Sequence, residues 1–179
     1  MESGVPAISL FSPPVLTRQI TPRFRREPCR STVNRFLPAL NSQNGKHATA
    51  RTHPPQLAWS GAPPGTKSFA LILDDPDAPG GTFTHWMVWN IPAGTHELPE
   101  NLPKTAELTD GARQGRNDFG KVGYGGPCPP PGKPHRYFFR LFALDNAPAV
   151  KAGAGREELE RALQGHILAR GELMGRYAR

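Results

Sequence analysis

Short apolar runs alternate along this chain with stretches dense in proline and glycine, and the runs have the length of strands. Residues 68–73 (Ser-Phe-Ala-Leu-Ile-Leu) predict a buried strand, and residues 85–91 a second one, ended by Pro92 and Gly94. The strongest signal covers 135–144. There, alternation puts His135, Tyr137, Phe139 and Leu141 on one face, with Arg136, Phe138, Arg140 and Phe142 on the other. Both faces carry aromatic rings, which predicts a central place in a sheet. Upstream, 53–59 reads as an extended segment, because Pro54 and Pro55 cannot donate to a ladder, and 61–65 as a turn. Residues 95–115 read as a connecting loop with strand fragments around 105–108. Near the end the period changes. Leu159, Leu163, Ile167 and Met174 fall at helical spacing, with Glu157 and Glu158 in a first turn, where the helix dipole favours acids. One helix, or two short ones broken near Gly171, is therefore expected over 155–176. The pattern as a whole predicts a mainly β protein, an antiparallel sheet domain closed by a C-terminal helix.

Composition and charge refine that picture. The 179 residues fit one domain with a real core, and 21 prolines with 19 glycines imply long ordered loops between strands. A net charge of +7 invites a nucleic-acid reading, but its distribution opposes one. Residues 1–51 hold eight Lys and Arg against two acids, whereas 52–179 hold fourteen against thirteen. The folded body is nearly neutral, so no nucleic-acid partner is expected. Residues 1–50 lack any sustained period and are expected to form a poorly ordered basic segment ahead of a domain over 51–179. Their Arg-rich stretch at 17–36 has transit-peptide composition, while 5–16 lacks the basic flank of a signal peptide. No run approaches the roughly 20 apolar residues of a membrane span. Two cysteines, Cys29 and Cys128, form no metal-type pair and fit a reducing, cytoplasmic setting.

The candidate chemistry lies in two loops. The first strand runs into Asp74-Asp75-Pro76-Asp77-Ala78-Pro79, a segment stiffened by its prolines, and the next opens on His85. The second stretch, Gly-Tyr-Gly-Gly-Pro-Cys-Pro-Pro from Gly123 to Pro130, leads into His135-Arg136-Tyr137. If the two meet, a cavity gains two imidazoles, a phenol, carboxylates and turn amides, an inventory suited to an oxyanion. The acids would then hold the imidazoles protonated or accept from a ligand's ammonium group.

These two motifs in order, with the tail Gly165-His166-Ile167-Leu168-Ala169 and Gly175-Arg176-Tyr177, resemble the phosphatidylethanolamine-binding protein family, also called Raf kinase inhibitor proteins. The likeness is to the short prokaryotic branch and spans roughly 53–179. Residues 1–50 do not match that branch's opening, which puts the first strand of the sandwich edge in question. The resemblance implies an antiparallel β-sandwich with a small pocket for phosphate-like anions and phospholipid head groups. It places ligand-binding roles on Asp75, Asp77, His85, His135 and Tyr137, and on the turn Gly126, Pro127, Cys128 and Pro129. It implies no cofactor and no catalysis; partners would be a phosphate-bearing small molecule or head group, and a kinase or protease to be inhibited.

Other chemistries are closed to some of these residues and open to others. Trp86 stands where an EF-hand starting at Asp75 needs its Glu, and Pro79 stands where an aspartyl-phosphate site needs Thr or Val. A metal-dependent hydrolase site built on His85, His135 and Asp75 is the chemical alternative. Cys128 reads as an incidental small residue rather than a nucleophile, since no helix terminus lowers its pKa. Trp59, Trp86 and Trp89 are expected in the core, and His47, His53, His96 and His166 in surface or structural places. Arg136 and Arg140 are read as facing solvent, lying between sheets or pairing with acids.

Overall fold

The computed structural model describes residues 53–179. In chain order its elements are β1 (Leu57–Ala58), β2 (Ser68–Asp75), β3 (Phe83–Pro92), β4 (Glu97–Leu98), β5 (Arg113–Gln114), β6 (His135–Leu144), α1 (Arg156–Leu163) and β7 (Ile167–Tyr177). Five strands form one antiparallel sheet in the order β5-β3-β2-β6-β7, and β1 pairs with β4 in a small separate sheet. All eight residues of β2 are buried, as its unbroken apolar sequence requires of a central strand.

The large sheet is covered on both faces. On one side Phe69, Leu71 and Leu73 of β2 pack with Trp86, Val88, Tyr137 and Phe139, and with Trp59 and Leu98 from the small sheet and its flank. On the other, Ala70, Ile72, Met87 and Trp89 meet Leu159 and Leu163 of α1. Each of those leucines is worth about 1.5–3 kcal/mol when fully buried, enough to fix a two-turn helix that could not persist alone. The three tryptophans are all buried, as their composition led one to expect. The mainly β, antiparallel architecture is the one the apolar pattern predicted. Its sandwich partner, among the described residues, is only two strands wide.

Two expectations are corrected. The helix expected over 155–176 ends at Leu163, and residues 167–177 form the longest strand of the sheet. Leu159, Leu163 and Ile167 do share helical spacing, but Gly165 takes φ of 79°, a left-handed conformation that ends the helix. Beyond it the inward residues are mostly small. Ala169, Gly171 and Gly175 lie opposite Ala143, Leu141 and Tyr137 of β6, while Arg170, Glu172 and Arg176 point to solvent. The period of two is carried by charges and glycines rather than by apolar bulk, which hid it. The helix is therefore followed by an edge strand and does not close the chain. In the second correction, the loop at 95–115 contains β4 and β5, with only an isolated bridge from Glu107 to Arg113 near the fragment expected at 105–108.

Candidate functional site

One β-bulge aims the principal imidazole. Along β2 and β3, Leu73 lies opposite Trp86 but Asp74 lies opposite Thr84, so His85 is an extra residue on β3. Such an insertion turns the backbone and re-aims a side chain, and bulges gather beside functional sites for that reason. Here it brings His85 to the face of Tyr137, the two rings meeting edge to face at 5.3 Å between centroids. The imidazole is fixed further by Gly125. His85 Nδ1 lies 3.0 Å from the Gly125 carbonyl, and the Gly125 N–H donates to the His85 carbonyl at 2.8 Å. Because a carbonyl can only accept, Nδ1 carries the proton and Nε2 remains as the second ring nitrogen.

The first-motif acids divide between two tasks. Asp75 is buried, accepts from His135 Nδ1 at 2.8 Å through Oδ2, and accepts the Asp77 N–H at 2.9 Å through Oδ1. Asp77 points outward instead. Its carboxylate takes the Arg136 main-chain N–H, Nε and Nη2 at 2.9, 2.9 and 2.6 Å. This bidentate clamp holds the Asp77 carboxyl down at about 2, chiefly through the Arg136 side chain. It pins the proline loop to the start of β6, where His135 and Tyr137 begin. Asp75, His85, His135 and Tyr137 thus converge, while the Asp77 carboxylate is committed to an arginine. Of the turn, Pro127 and Pro129 are buried and Cys128 is exposed, its thiol near enough to influence the Tyr137 phenol.

The electrostatics follow from burial. Desolvation lowers the His85 pKa below its ordinary value, outweighing the carbonyls of Gly125 and Gly126 and the charges of Asp75 and Asp118, all of which favour the cation. His85 is thus a neutral ring near pH 7, so of the two tasks open to the acids in the sequence, holding the imidazoles protonated does not extend to this one. Burial first, and then the Asp75 charge, push the Tyr137 phenol well above its usual range, so it stays a donor. Its hydroxyl is buried and has no well-aligned hydrogen bond to a described residue, although the Asp75 carboxylate lies close enough to act on it both by charge and by weak hydrogen bonding. Among the described residues no three His, Cys, Asp or Glu side chains are placed to hold a metal ion, so the hydrolase alternative on His85, His135 and Asp75 loses its geometric basis.

Sequence reasoning missed two features. On the opposite face, Asp74 is fully buried and receives Arg140 Nη1 at 2.6 Å, Arg156 Nη2 at 3.0 Å and a second, short bond from Arg156 Nη1. Arg156 Nη1 also donates to Thr84 at 2.8 Å, so α1 is riveted to the same bulge that aims His85. The second feature is a pair of rings, Phe83 and Phe119, against His85 at 5.0 and 5.4 Å. Neither has a periodic signal, since both sit in or beside turns.

Comparisons with known proteins converge. A family model described as phosphatidylethanolamine-binding protein matches residues 31–178, beginning upstream of the resemblance read from His53. A UPF0098 protein of Aquifex aeolicus is 54% identical over 145 residues, covering 80% of this chain and 81% of the relative. UPF0098 protein PH1269 of Pyrococcus horikoshii is 48% identical over 149 residues, covering 82% and 72%. Among solved structures, YbcL of Escherichia coli, described as a new member of the mammalian PEBP family, superposes with a TM-score of 0.67 at 42% identity, covering 72% of this chain and 81% of that one. No helix among the described residues is long and apolar enough to cross a membrane.

Proposed function

This chain belongs to the phosphatidylethanolamine-binding protein family, and from that premise we propose that the site at His85, His135 and Tyr137 binds a tetrahedral oxyanion. The ligand is the phosphate of a small molecule or of a phospholipid head group, held without catalysis. The observation that carries this reading is the Tyr137 hydroxyl, buried and without a well-aligned hydrogen bond beside a neutral imidazole. An unsatisfied buried hydroxyl costs a protein about 1–3 kcal/mol, and a ligand oxygen that accepts from it recovers that cost. His135, held by Asp75 through Nδ1, turns its other ring nitrogen toward the ligand. The amides of Gly126 and Cys128 are the backbone donors of the turn, and Asp77 serves indirectly by anchoring Arg136.

Tyr137→Phe tests this with two readouts. Deleting a buried hydroxyl that lacks a well-aligned partner is expected to leave the ligand-free protein about as stable as the wild type, within about 1 kcal/mol in urea denaturation. The same change is expected to weaken inorganic phosphate by about 1.5–3 kcal/mol in titration calorimetry, since the lost bond is to a charged acceptor. Equal phosphate affinity in the two proteins sinks the assignment.

Proton linkage gives an independent check. Burial keeps His85 neutral in the free protein, and an anion beside it raises its pKa, so binding takes up a proton across that interval. Sulfate, whose own charge does not change there, is expected to bind more tightly as pH falls from about 8 to about 5.5. The sign is fixed by the depressed free-state value; affinity that rises with pH contradicts it.

A further inference from the structure

Phe119 is 44% exposed and is the only exposed large hydrophobic side chain among the described residues. A lone exposed phenylalanine is ordinary, but this ring is held rigidly and beside the site. It meets Phe83 at 4.7 Å and His85 at 5.4 Å, and His85 meets Tyr137 on its other side. Its loop is stitched to β3 twice, by Asp118 N–H to the Thr84 carbonyl and by the Thr84 N–H to Asp118 Oδ2 at 2.6 Å. The buried Asn117 side chain closes the turn, accepting the Phe119 and Lys121 N–H groups. Gly125 leaves the ring its room, because a Cβ there would stand 2.6 Å from Phe119 Cδ2.

We infer that Phe119, backed by Phe83, selects the organic part of the ligand, a phosphate ester whose substituent is apolar and lies on the exposed ring. The inference rests on the anion-binding reading and specifies which ligand of that class the site takes. A ring already fixed loses little rotamer freedom when covered, so apolar contact there turns directly into affinity. An ammonium-bearing substituent fits less well. Phe83 and Phe119 meet at 62°, edge toward face, rather than opening as the walls of a cage, and the adjacent Asp118 carboxylate is engaged by Thr84.

The test is calorimetric titration of the full chain with inorganic phosphate, phenyl phosphate and phosphoethanolamine. The wild type is expected to bind phenyl phosphate about 5- to 10-fold more tightly than inorganic phosphate, with phosphoethanolamine showing no such gain. Phe119→Ala is expected to remove the preference, read as the ratio of phenyl phosphate to inorganic phosphate affinity in the same variant, and Phe119→Tyr to keep it. Phe119→Gln, with a long polar chain in place of the ring, guards against a collapsed loop in the alanine variant. Wild-type protein that binds all three alike, or that favours phosphoethanolamine, overturns the inference and leaves the anion site standing. So does a preference that survives in Phe119→Ala and Phe119→Gln. Wild-type protein that binds none of the three overturns the anion site itself, and this inference with it.

Discussion

Asp74→Ala is expected to lower the unfolding free energy by about 3 kcal/mol, read as a shift of the urea midpoint at unchanged slope. The carboxylate has no exposure to solvent and is held by two guanidiniums and approached by the Thr84 hydroxyl. Breaking a buried pair usually costs about 3–5 kcal/mol, because the remaining charge is stranded. Here the stranded partners, Arg140 and Arg156, are 34% and 28% exposed and also contact Glu172 and Glu160, so they can rehydrate. That places the cost at the low end. The arginines then allow a sharper form of the prediction. Arg156→Met leaves Asp74 with Arg140, and Arg140→Met leaves it with Arg156, so each single change should cost less than removal of the acid. The double change leaves a buried carboxylate alone and should cost more than the sum of the singles, a coupling that a double-mutant cycle reads directly. Additive arginine effects, or an Asp74→Ala cost below about 1 kcal/mol, would mean the cluster is not what ties α1 to the sheet.

How far the sequence carried this picture depends on which physical signal each residue leaves behind. The central strands were legible because β2, β3 and β6 pack bulky apolar side chains, and their runs are bounded by proline and glycine. The 135–144 alternation places His135 and Tyr137 on one face of the strand, the face the fold buries. β7 was not legible, since it fills its inward positions with Ala169, Gly171 and Gly175 to make room for large residues on β6. The site was legible as an inventory of residue types but not as an arrangement. The Asp-Pro-Asp motif favours Asp75 over Asp77 for the pocket, but that Asp77 is spent on Arg136 across the loop is visible only in the fold. Asp74 looked like part of the same acidic group, yet strand alternation sends it to the opposite face. The bulge at His85 has no signature in side-chain pattern at all, because it is a mismatch of length between paired strands. The neutrality of His85 is likewise a consequence of packing, which no motif records.

His85→Ala is expected to weaken phosphate binding by about 1.5–3 kcal/mol, roughly 10- to 150-fold, the range for a hydrogen bond to a charged group. The size follows from what the ring supplies: a second nitrogen aimed away from the Gly125 carbonyl, in a place where water does not compete. Alanine also removes an edge contact to Tyr137 and two to Phe83 and Phe119, so its effect mixes recognition with packing. His85→Gln separates them. An amide fills much of the same volume and can donate to the ligand, yet it cannot titrate. Affinity at about pH 7 should therefore fall less than in the alanine variant, while the tightening of sulfate at low pH should shrink. Any slope that persists in the glutamine variant belongs to a group other than His85. A glutamine variant with the full wild-type slope would place the proton on another group and leave His85 as packing. A flat profile would assign it to the imidazole that the bulge delivers, the ring that burial keeps neutral until an anion arrives.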